Sequence, residues 1–202
     1  VMKNLSNEAS LSDRFRTVVY IVLTTFIIEG VGVYLVYLQI QDVAGIGNKV
    51  FFSLFHGVSA FCNAGFSTLP GNLYDPLIRH VYGLQVILAF LIIFGGIGFP
   101  ILFNYVRLFH YWIRTTTRVV LPATLVLLIV GTGLFWIFEN HNALEGMSVT
   151  GKFATAFMGA VTPRTAGFNN VDMSILHTST IFLTIVLMWI GAAPMSTGGG
   201  IK

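Results

Sequence analysis

Four stretches of this chain are apolar enough and long enough to be helices that cross a membrane. Up to residue 201 these stretches contain no Asp, Glu, Lys or Arg apart from Glu29 in the first. A helix rises about 1.5 Å per residue, so about 20 residues cross the roughly 30 Å hydrocarbon layer of a bilayer. The pattern therefore predicts spanning helices at about 17–39, 80–105 and 119–138, and from about 176 onward.

Each pair of long stretches encloses a shorter apolar one. Residues 50–62 and about 151–162 are too short to cross as helices, and breaks with Gly and Pro follow at 63–72 and 163–172. Non-helical backbone at membrane depth is tolerated only where it is buried in protein or faces a water-filled cavity. We therefore predict two re-entrant pore loops. The partially negative C-terminal end of each short helix would favour a cation at the membrane centre.

The two short segments are also similar in sequence. FHGVSAFCNAGF at 55–66 and FMGAVTPRTAGF at 157–168 share five of twelve positions at a spacing of 102 residues. Chance would give about one match at ordinary residue frequencies. The similarity predicts an all-α membrane protein with two tandem membrane–pore-loop–membrane units. Their bounds are predicted at 1–105 and 119–202, with a cytoplasmic connection at 106–118.

Composition and charge agree with a position in the lipid bilayer. The chain is 55% hydrophobic and 9% charged, whereas soluble domains carry about 25% charged residues. Its net charge of +3 is too small to indicate a nucleic-acid partner. The positive-inside rule predicts a cytoplasmic N-terminus and a cytoplasmic connection from six basic residues: Lys3, Arg14, Arg16, Arg107, Arg114 and Arg118.

Four motifs carry a family resemblance: NAGFS at 63–67, TPRTAGFN at 162–169, GGIGFP at 95–100 and STGGGIK at 196–202. They resemble the Trk/Ktr/HKT superfamily of potassium transporters, and in particular its bacterial Trk/Ktr branch. The resemblance implies a subunit of four membrane–pore–membrane repeats around one pore. This chain would then be a fragment that holds the second and third repeats, the third with an incomplete second helix. Potassium-versus-sodium selectivity is left open.

The resemblance also implies which residues form a selectivity filter. Its backbone carbonyls would come from six positions: Asn63, Ala64, Gly65, Thr165, Ala166 and Gly167. Phe66 and Phe168 would pack behind them. Arg164 is expected to brace the loop by pairing with a nearby carboxylate, because an intramembrane charge needs a partner.

A second informative segment, GAAPMSTGGGI, lies at 191–201. Pro194 and four glycines oppose a continuous helix there, and the resemblance implies an intramembrane gate formed by seven residues: Gly191, Pro194, Ser196, Thr197, Gly198, Gly199 and Gly200. A kinked, closely packed helix is the alternative. The corresponding GGIG at 95–98 is expected to continue as helix.

The function predicted from these features is passive uptake of potassium, or another monovalent cation, across the cell membrane, without enzymatic chemistry and without a cofactor. The resemblance further implies a homodimer of the full-length subunit and a cytoplasmic nucleotide-binding RCK-type regulatory partner.

Alternatives remain in other functional classes. Broken helices also bind substrates in secondary transporters of other cations or small solutes. The same residues are also compatible with a sodium-permeable member of the same family. An intramembrane enzyme would need paired acids or a metal-binding set within the spans, where Glu29 is the only acid. The other acids are expected to be mostly solvated loop ends at the outer mouth: Asp42, Asp75, Glu139, Glu145 and Asp172.

Overall fold

A computed structural model describes residues 11–98, 115–193 and 196–200. These residues are helical and contain no strand. Within the described ranges the α-helices are α1 (Leu11–Ile40), α2 (Lys49–Phe61), α3 (Tyr82–Ile97), α4 (Thr115–Glu139), α5 (Val149–Val161) and α6 (Thr178–Ile190), and a 3₁₀ turn lies at Asn72–Tyr74.

Two of the helices are long and apolar enough to cross a membrane. These are the parts of α1 and α4 at Val18–Ile40 and Val119–Glu139, with 23 and 21 residues. The helices α3 and α6 are shorter, with 16 and 13 residues. The helix α3 ends at Ile97 because Gly98 takes a φ of +92°. The expectation that GGIG continues as helix is therefore wrong at its last residue. Most of the predicted 106–118 connection lies outside the described residues.

The positions of the short helices α2 and α5 are fixed by their first residues. The Asn48 side chain accepts a hydrogen bond from the Phe51 N–H at 2.9 Å, and Ser148 Oγ accepts one from Gly151 at 3.1 Å. Such caps satisfy the free N–H groups at a helix start. Each short helix is also tied to the preceding long one. Lys49 Nζ donates to the Gln41 carbonyl at 2.5 Å, just beyond α1. In the second half, Lys152 Nζ donates to two oxygens of Asn140, just beyond α4.

The core joins the two halves of the chain through α3. This helix packs against both α2 and α5. Leu84 and Leu88 of α3 lie in one buried cluster with Met158 and Val161 of α5.

Small residues let the short helices approach the long ones. A Cβ on Gly57 would lie 2.6 Å from Val33 of α1, and a Cβ on Gly159 would lie 2.7 Å from Phe135 of α4. In both cases the facing residue lies 24 positions earlier in the chain. Close helix approach at glycine is a common device of membrane proteins.

Candidate functional site

Two stretches, residues 63–66 after α2 and residues 165–168 after α5, have the same unusual backbone. Asn63 and Gly65 have φ values of +52° and +70°, and Thr165 and Gly167 have φ values of +73° and +81°. Positive φ is uncommon for residues other than glycine, so Asn63 and Thr165 adopt a conformation that the surrounding fold imposes. Ala64 and Ala166, the residues between them, are not in this region. Positive φ therefore recurs at every second residue in both stretches, in the same phase.

The two stretches lie directly against each other. A Cβ on Gly65 would overlap the Ala166 carbonyl oxygen and lie 2.7 Å from the Gly167 carbonyl carbon. From the other side, a Cβ on Gly167 would be 3.6 Å from the Gly65 Cα. The fold thus places Ala64 and Gly65 against Ala166 and Gly167, four of the six predicted filter positions.

Side chains from the surrounding turns hold the ends of these stretches. Ser59 Oγ donates to the Phe66 carbonyl at 2.9 Å, and Thr162 Oγ1 donates to the Phe168 carbonyl at 2.6 Å. The Gly65 carbonyl accepts a hydrogen bond from Asn72 Nδ2 at 3.1 Å. One of its lone pairs is therefore occupied, and a carbonyl oxygen has two.

The two phenylalanines that were expected to pack behind the stretches differ. Phe168 is fully buried, and its ring stacks over His56 of α2 with the centroids 6.4 Å apart. Phe66 is 69% exposed within the part of the chain that the structure describes, so its packing behind the first stretch stays a prediction. Phe168 thus packs across the boundary between the halves, onto the short helix of the first half.

The glycine-rich segment after α6 is a closed loop. The helix ends at Ile190, where Gly191 takes a φ of +66°, and the Ala192 N–H donates to the Gly199 carbonyl at 2.9 Å. Residues 191–192 meet residues 199–200 at the neck of the loop. A Cβ on Gly200 would lie 2.5 Å from the Gly191 Cα, so the neck can close only with glycine at these positions. Residues 191–193 and 196–200 are not helical, contrary to the kinked-helix alternative. Pro194 lies outside the described residues.

This loop is hydrogen-bonded to both stretches. Thr197 Oγ1 accepts from Asn63 Nδ2 at 2.6 Å and donates to the Phe61 carbonyl at 3.1 Å. The Gly199 N–H donates to Thr165 Oγ1 at 3.0 Å. The loop therefore lies across the C-terminal end of α2 and the start of both stretches.

The loop is also hydrogen-bonded to the end of α3. The Ala193 N–H donates to the Gly96 carbonyl at 2.9 Å, and the Thr197 N–H donates to the Gly95 carbonyl at 3.3 Å. The small residues of GGIG were expected to allow close helix packing. In addition, the carbonyls of Gly95 and Gly96 accept hydrogen bonds from the backbone of the glycine-rich loop.

Arg164 has a different partner from the one expected. Its Nε donates to the Gly191 carbonyl at 3.1 Å, and no ion pair joins it to a carboxylate among the described residues. The expected pairing is replaced because α6 ends at Gly191, which frees a carbonyl that a continuing helix would occupy. The guanidinium braces the neck of the glycine-rich loop rather than a loop acid.

The chemical groups that meet where the loop contacts the two stretches are backbone carbonyls, hydroxyls and one side-chain amide. No group of three or more His, Cys, Asp or Glu side chains that could hold a metal ion occurs within the described ranges. Neutral oxygen ligands of this kind suit a weakly hydrated cation better than acid–base chemistry. Outside the spans, two hydrogen bonds from Ser174 hold the pKa of Asp172 below its ordinary value, so that this loop carboxylate is charged at neutral pH.

Comparison with known proteins identifies the family. Residues 3–202 match the family described as "TrkH: Cation transport protein". The chain belongs to the TrkH family. It is accordingly a helical membrane protein of a family of transporters rather than of enzymes.

Curated relatives of this TrkH-family chain are similar over most of its length. The "Ktr system potassium uptake protein B" of Vibrio alginolyticus is 38% identical over 197 residues, which cover 93% of this chain and 42% of that protein. The protein of the same name from Bacillus subtilis is 34% identical, covering 97% and 44%. The "Potassium/sodium uptake protein NtpJ" of Enterococcus hirae is 35% identical, covering 100% and 45%. The chain spans less than half the length of these relatives.

Several residues that organise the TrkH-family site carried no recognisable signal in the sequence. Asn170 is 3% exposed, and its Nδ2 donates to Gln85 Oε1 at 3.2 Å and to the Thr155 carbonyl at 2.9 Å. Gln85 in turn donates to the Arg79 carbonyl at 3.0 Å. The only hint in the sequence is that Gln85 is a polar residue inside an otherwise apolar span.

Proposed function

We propose that this chain forms part of a selective path for potassium across the cell membrane, with residues 63–65 and 165–167 as two strands of its filter. The observation that carries the proposal is the alternation of left-handed backbone at Asn63 and Gly65, repeated at Thr165 and Gly167. Carbonyls turned the same way can replace the water shell of a cation. The names of the curated relatives, which describe potassium uptake, support the choice of ion.

The mechanism needs electrostatics and geometry but no covalent step. The C-terminal ends of α2 and α5 precede the two stretches and carry partial negative charge, which favours a cation near them. The ion would move passively from one ring of carbonyls to the next. The carbonyl of Gly65 would offer the lone pair that Asn72 leaves free.

Two parallel units, 1–105 and 119–202, joined at 106–118, account for the spacing of matched features. Gly65 and Gly167 are 102 residues apart, as are Gly98 and Gly200, whose φ values are +92° and +100°. The contacts of Gly57 with Val33 and of Gly159 with Phe135 follow the same spacing. Units related by an axis along the membrane normal would surround a shared pore. Two filter strands are half of the four-strand ring that the family resemblance implies.

The glycine-rich loop at 191–193 and 196–200 is proposed as the gate of this path. It lies against the start of both filter stretches through Asn63 and Thr165. A segment in that place would block an ion leaving the filter, and its displacement would open the path.

A second candidate is a path that also admits sodium. The Enterococcus hirae relative, which matches the whole of this chain, is named a potassium/sodium uptake protein. The backbone ligands at 63–65 and 165–167 do not by themselves distinguish the two ions. Measuring both ions in one assay separates the candidates.

Further proposals concern orientation and partners. The N-terminus of this chain would be cytoplasmic, as its basic residues indicate. The exposed apolar side chains of α1, such as Phe26 and Ile27 at 68% and 65% exposure, would face lipid or neighbouring protein. The family resemblance supports a homodimer of the full-length subunit and an RCK-type regulatory partner at the cytoplasmic face.

The test uses the full-length protein in bacterial cells that lack their own potassium uptake systems. Gly167→Ser is expected to reduce potassium uptake or to change the ratio of potassium to sodium uptake, with membrane insertion intact. Gly133→Ser is the matched control, because a Cβ on Gly133 in α4 meets nothing within 4 Å. Unchanged uptake of both ions in the Gly167→Ser protein would reject the filter assignment.

A further inference from the structure

Asn63 and Thr165 occupy the same place in the two stretches, and each holds the glycine-rich loop by a side-chain hydrogen bond. Asn63 Nδ2 donates to Thr197 Oγ1, and Thr165 Oγ1 accepts from the Gly199 N–H. We propose that these two contacts are a latch, in which Thr197 is the positioning residue that keeps the loop closed over both stretches. The proposal rests on the proposed function of the loop as a gate.

The latch engages both halves of the chain through residues that are only two positions apart in the loop. Thr197 reaches the first half, where its hydroxyl both accepts from Asn63 and donates to the Phe61 carbonyl. Gly199 reaches the second half at Thr165. A loop attached at two points on different units cannot move away from one stretch without also leaving the other, so the two bonds act together.

Other contacts hold the loop without the Thr197 hydroxyl. Arg164 Nε donates to the Gly191 carbonyl, and the Ala192 N–H donates to the Gly199 carbonyl across the neck. The backbone N–H groups of Ala193 and Thr197 donate to the Gly96 and Gly95 carbonyls of α3. Loss of the Thr197 hydroxyl would therefore weaken the closed position of the loop and leave these contacts in place.

The described residues of the loop differ in exposure. Gly191, Ala192, Ala193 and Gly198 are buried, whereas Thr197, Gly199 and Gly200 are exposed. At this exposed part of the loop, hydrogen bonds rather than apolar burial oppose opening, and each changes an equilibrium by about two- to tenfold.

Thr197→Val in the full-length protein, purified and reconstituted into liposomes, tests the latch. Valine keeps the shape of threonine and removes the hydroxyl. Flux of labelled rubidium, measured without any activating partner or nucleotide, is expected to rise about two- to tenfold, the range expected for losing one or two hydrogen bonds. The ratio of rubidium to sodium flux is expected to stay unchanged. Thr197→Ser, which restores a hydroxyl, is expected to return the flux to its original level.

Thr184→Val is the matched control. The Thr184 hydroxyl is exposed on α6 and donates only within its own helix, to the Ile181 carbonyl at 2.7 Å. Its flux is expected to equal that of the unmodified protein. If Thr197→Val does not assemble in the membrane, Thr197→Ala removes the same hydroxyl and carries the same expectation.

The outcomes separate the latch from the gate and the filter. An unchanged or lower flux in well-folded Thr197→Val, with a raised flux on deletion of residues 196–200, would overturn the latch and keep the gate. A changed rubidium-to-sodium ratio at unchanged basal flux would also overturn it, because Thr197 would then act on selectivity. Unchanged flux on the same deletion would reject the gate itself.

Discussion

Glu139, the last residue of α4, accepts a hydrogen bond at 2.9 Å from the backbone N–H of His177, where α6 begins. Its carboxylate is fully buried and also accepts from the hydroxyl of Thr180 and from Asn142 Nδ2. Free N–H groups at a helix start stabilise an anion, and the helix dipole adds to this. Glu139 thus ties the end of one helix to the start of another. The expectation of a solvated loop end is wrong for this residue.

Removal of the Glu139 carboxylate is expected to destabilise the second half of the chain. Glu139→Ala removes the acceptor of the His177 N–H, of Asn142 Nδ2 and of the buried Thr180 hydroxyl. A buried donor left without an acceptor costs about 1–3 kcal/mol. Thermal unfolding of the full-length protein in detergent is expected to occur at a clearly lower temperature. Glu139→Gln, which keeps one acceptor oxygen, is expected to fall between Glu139→Ala and the unmodified protein. Glu145→Gln is the control, since Glu145 is exposed. Equal melting temperatures for all three variants would contradict the role.

Alanine is expected to be tolerated differently at the two filter glycines. Both have positive φ, where a side chain costs about 1–2 kcal/mol. At Gly65 the new Cβ would also overlap the Ala166 carbonyl oxygen, whereas at Gly167 the nearest atom is 3.6 Å away. Gly65→Ala is therefore expected to abolish potassium uptake, and Gly167→Ala to reduce it partially. Gly133→Ala should leave uptake unchanged. A more severe loss at Gly167 than at Gly65 would contradict the arrangement of the two stretches.

The parts of the fold that depend on local pattern could be predicted from the sequence. The short helices at 50–62 and 151–162 are observed at Lys49–Phe61 and Val149–Val161. Their length and apolar character are set by nearby residues, and their caps are local. The repeated Ala-Gly-Phe also pointed to the stretches that the fold brings into contact.

The parts that depend on distant contacts could not be predicted. Nothing in the local sequence tells that Thr197 meets Asn63, because 134 residues separate them. The partner of Arg164 was missed for a related reason. Its acceptor is a backbone carbonyl, which every residue has, and which becomes available only because α6 ends at Gly191. Phe66 and Phe168 have matching sequence contexts but different surroundings, which the repeat alone cannot distinguish.

The hydrogen bond between Gln85 and Asn170 is expected to couple the two halves of the chain. The bond joins α3 to the stretch that follows α5, and both side chains are buried. A double-mutant cycle of Gln85→Ala and Asn170→Ala, followed by thermal unfolding in detergent, is expected to give a coupling free energy of about 1 kcal/mol. Additive effects of the two substitutions would show that the bond contributes nothing to joining the halves. A cycle of Asn170→Ala with Glu145→Ala, which are not in one network, should be additive.

The adjacent glycines Gly95 and Gly96 of α3 are expected to differ clearly in their response to substitution by alanine. A Cβ on Gly95 would overlap the Phe61 carbonyl oxygen and lie 3.0 Å from Thr197 Oγ1, whereas one on Gly96 would first meet Ala192 at 3.8 Å. Both substitutions gain about 1 kcal/mol of helix propensity. Gly95→Ala adds an overlap with backbone, which costs about 1–3 kcal/mol, and it displaces the carbonyl that the Thr197 hydroxyl uses. Gly95→Ala is therefore expected to raise basal rubidium flux in liposomes and lower the melting temperature, and Gly96→Ala to do neither. If Gly96→Ala raises flux as much as Gly95→Ala, the effect belongs to α3 as a whole and not to the contact between Gly95, Phe61 and the loop.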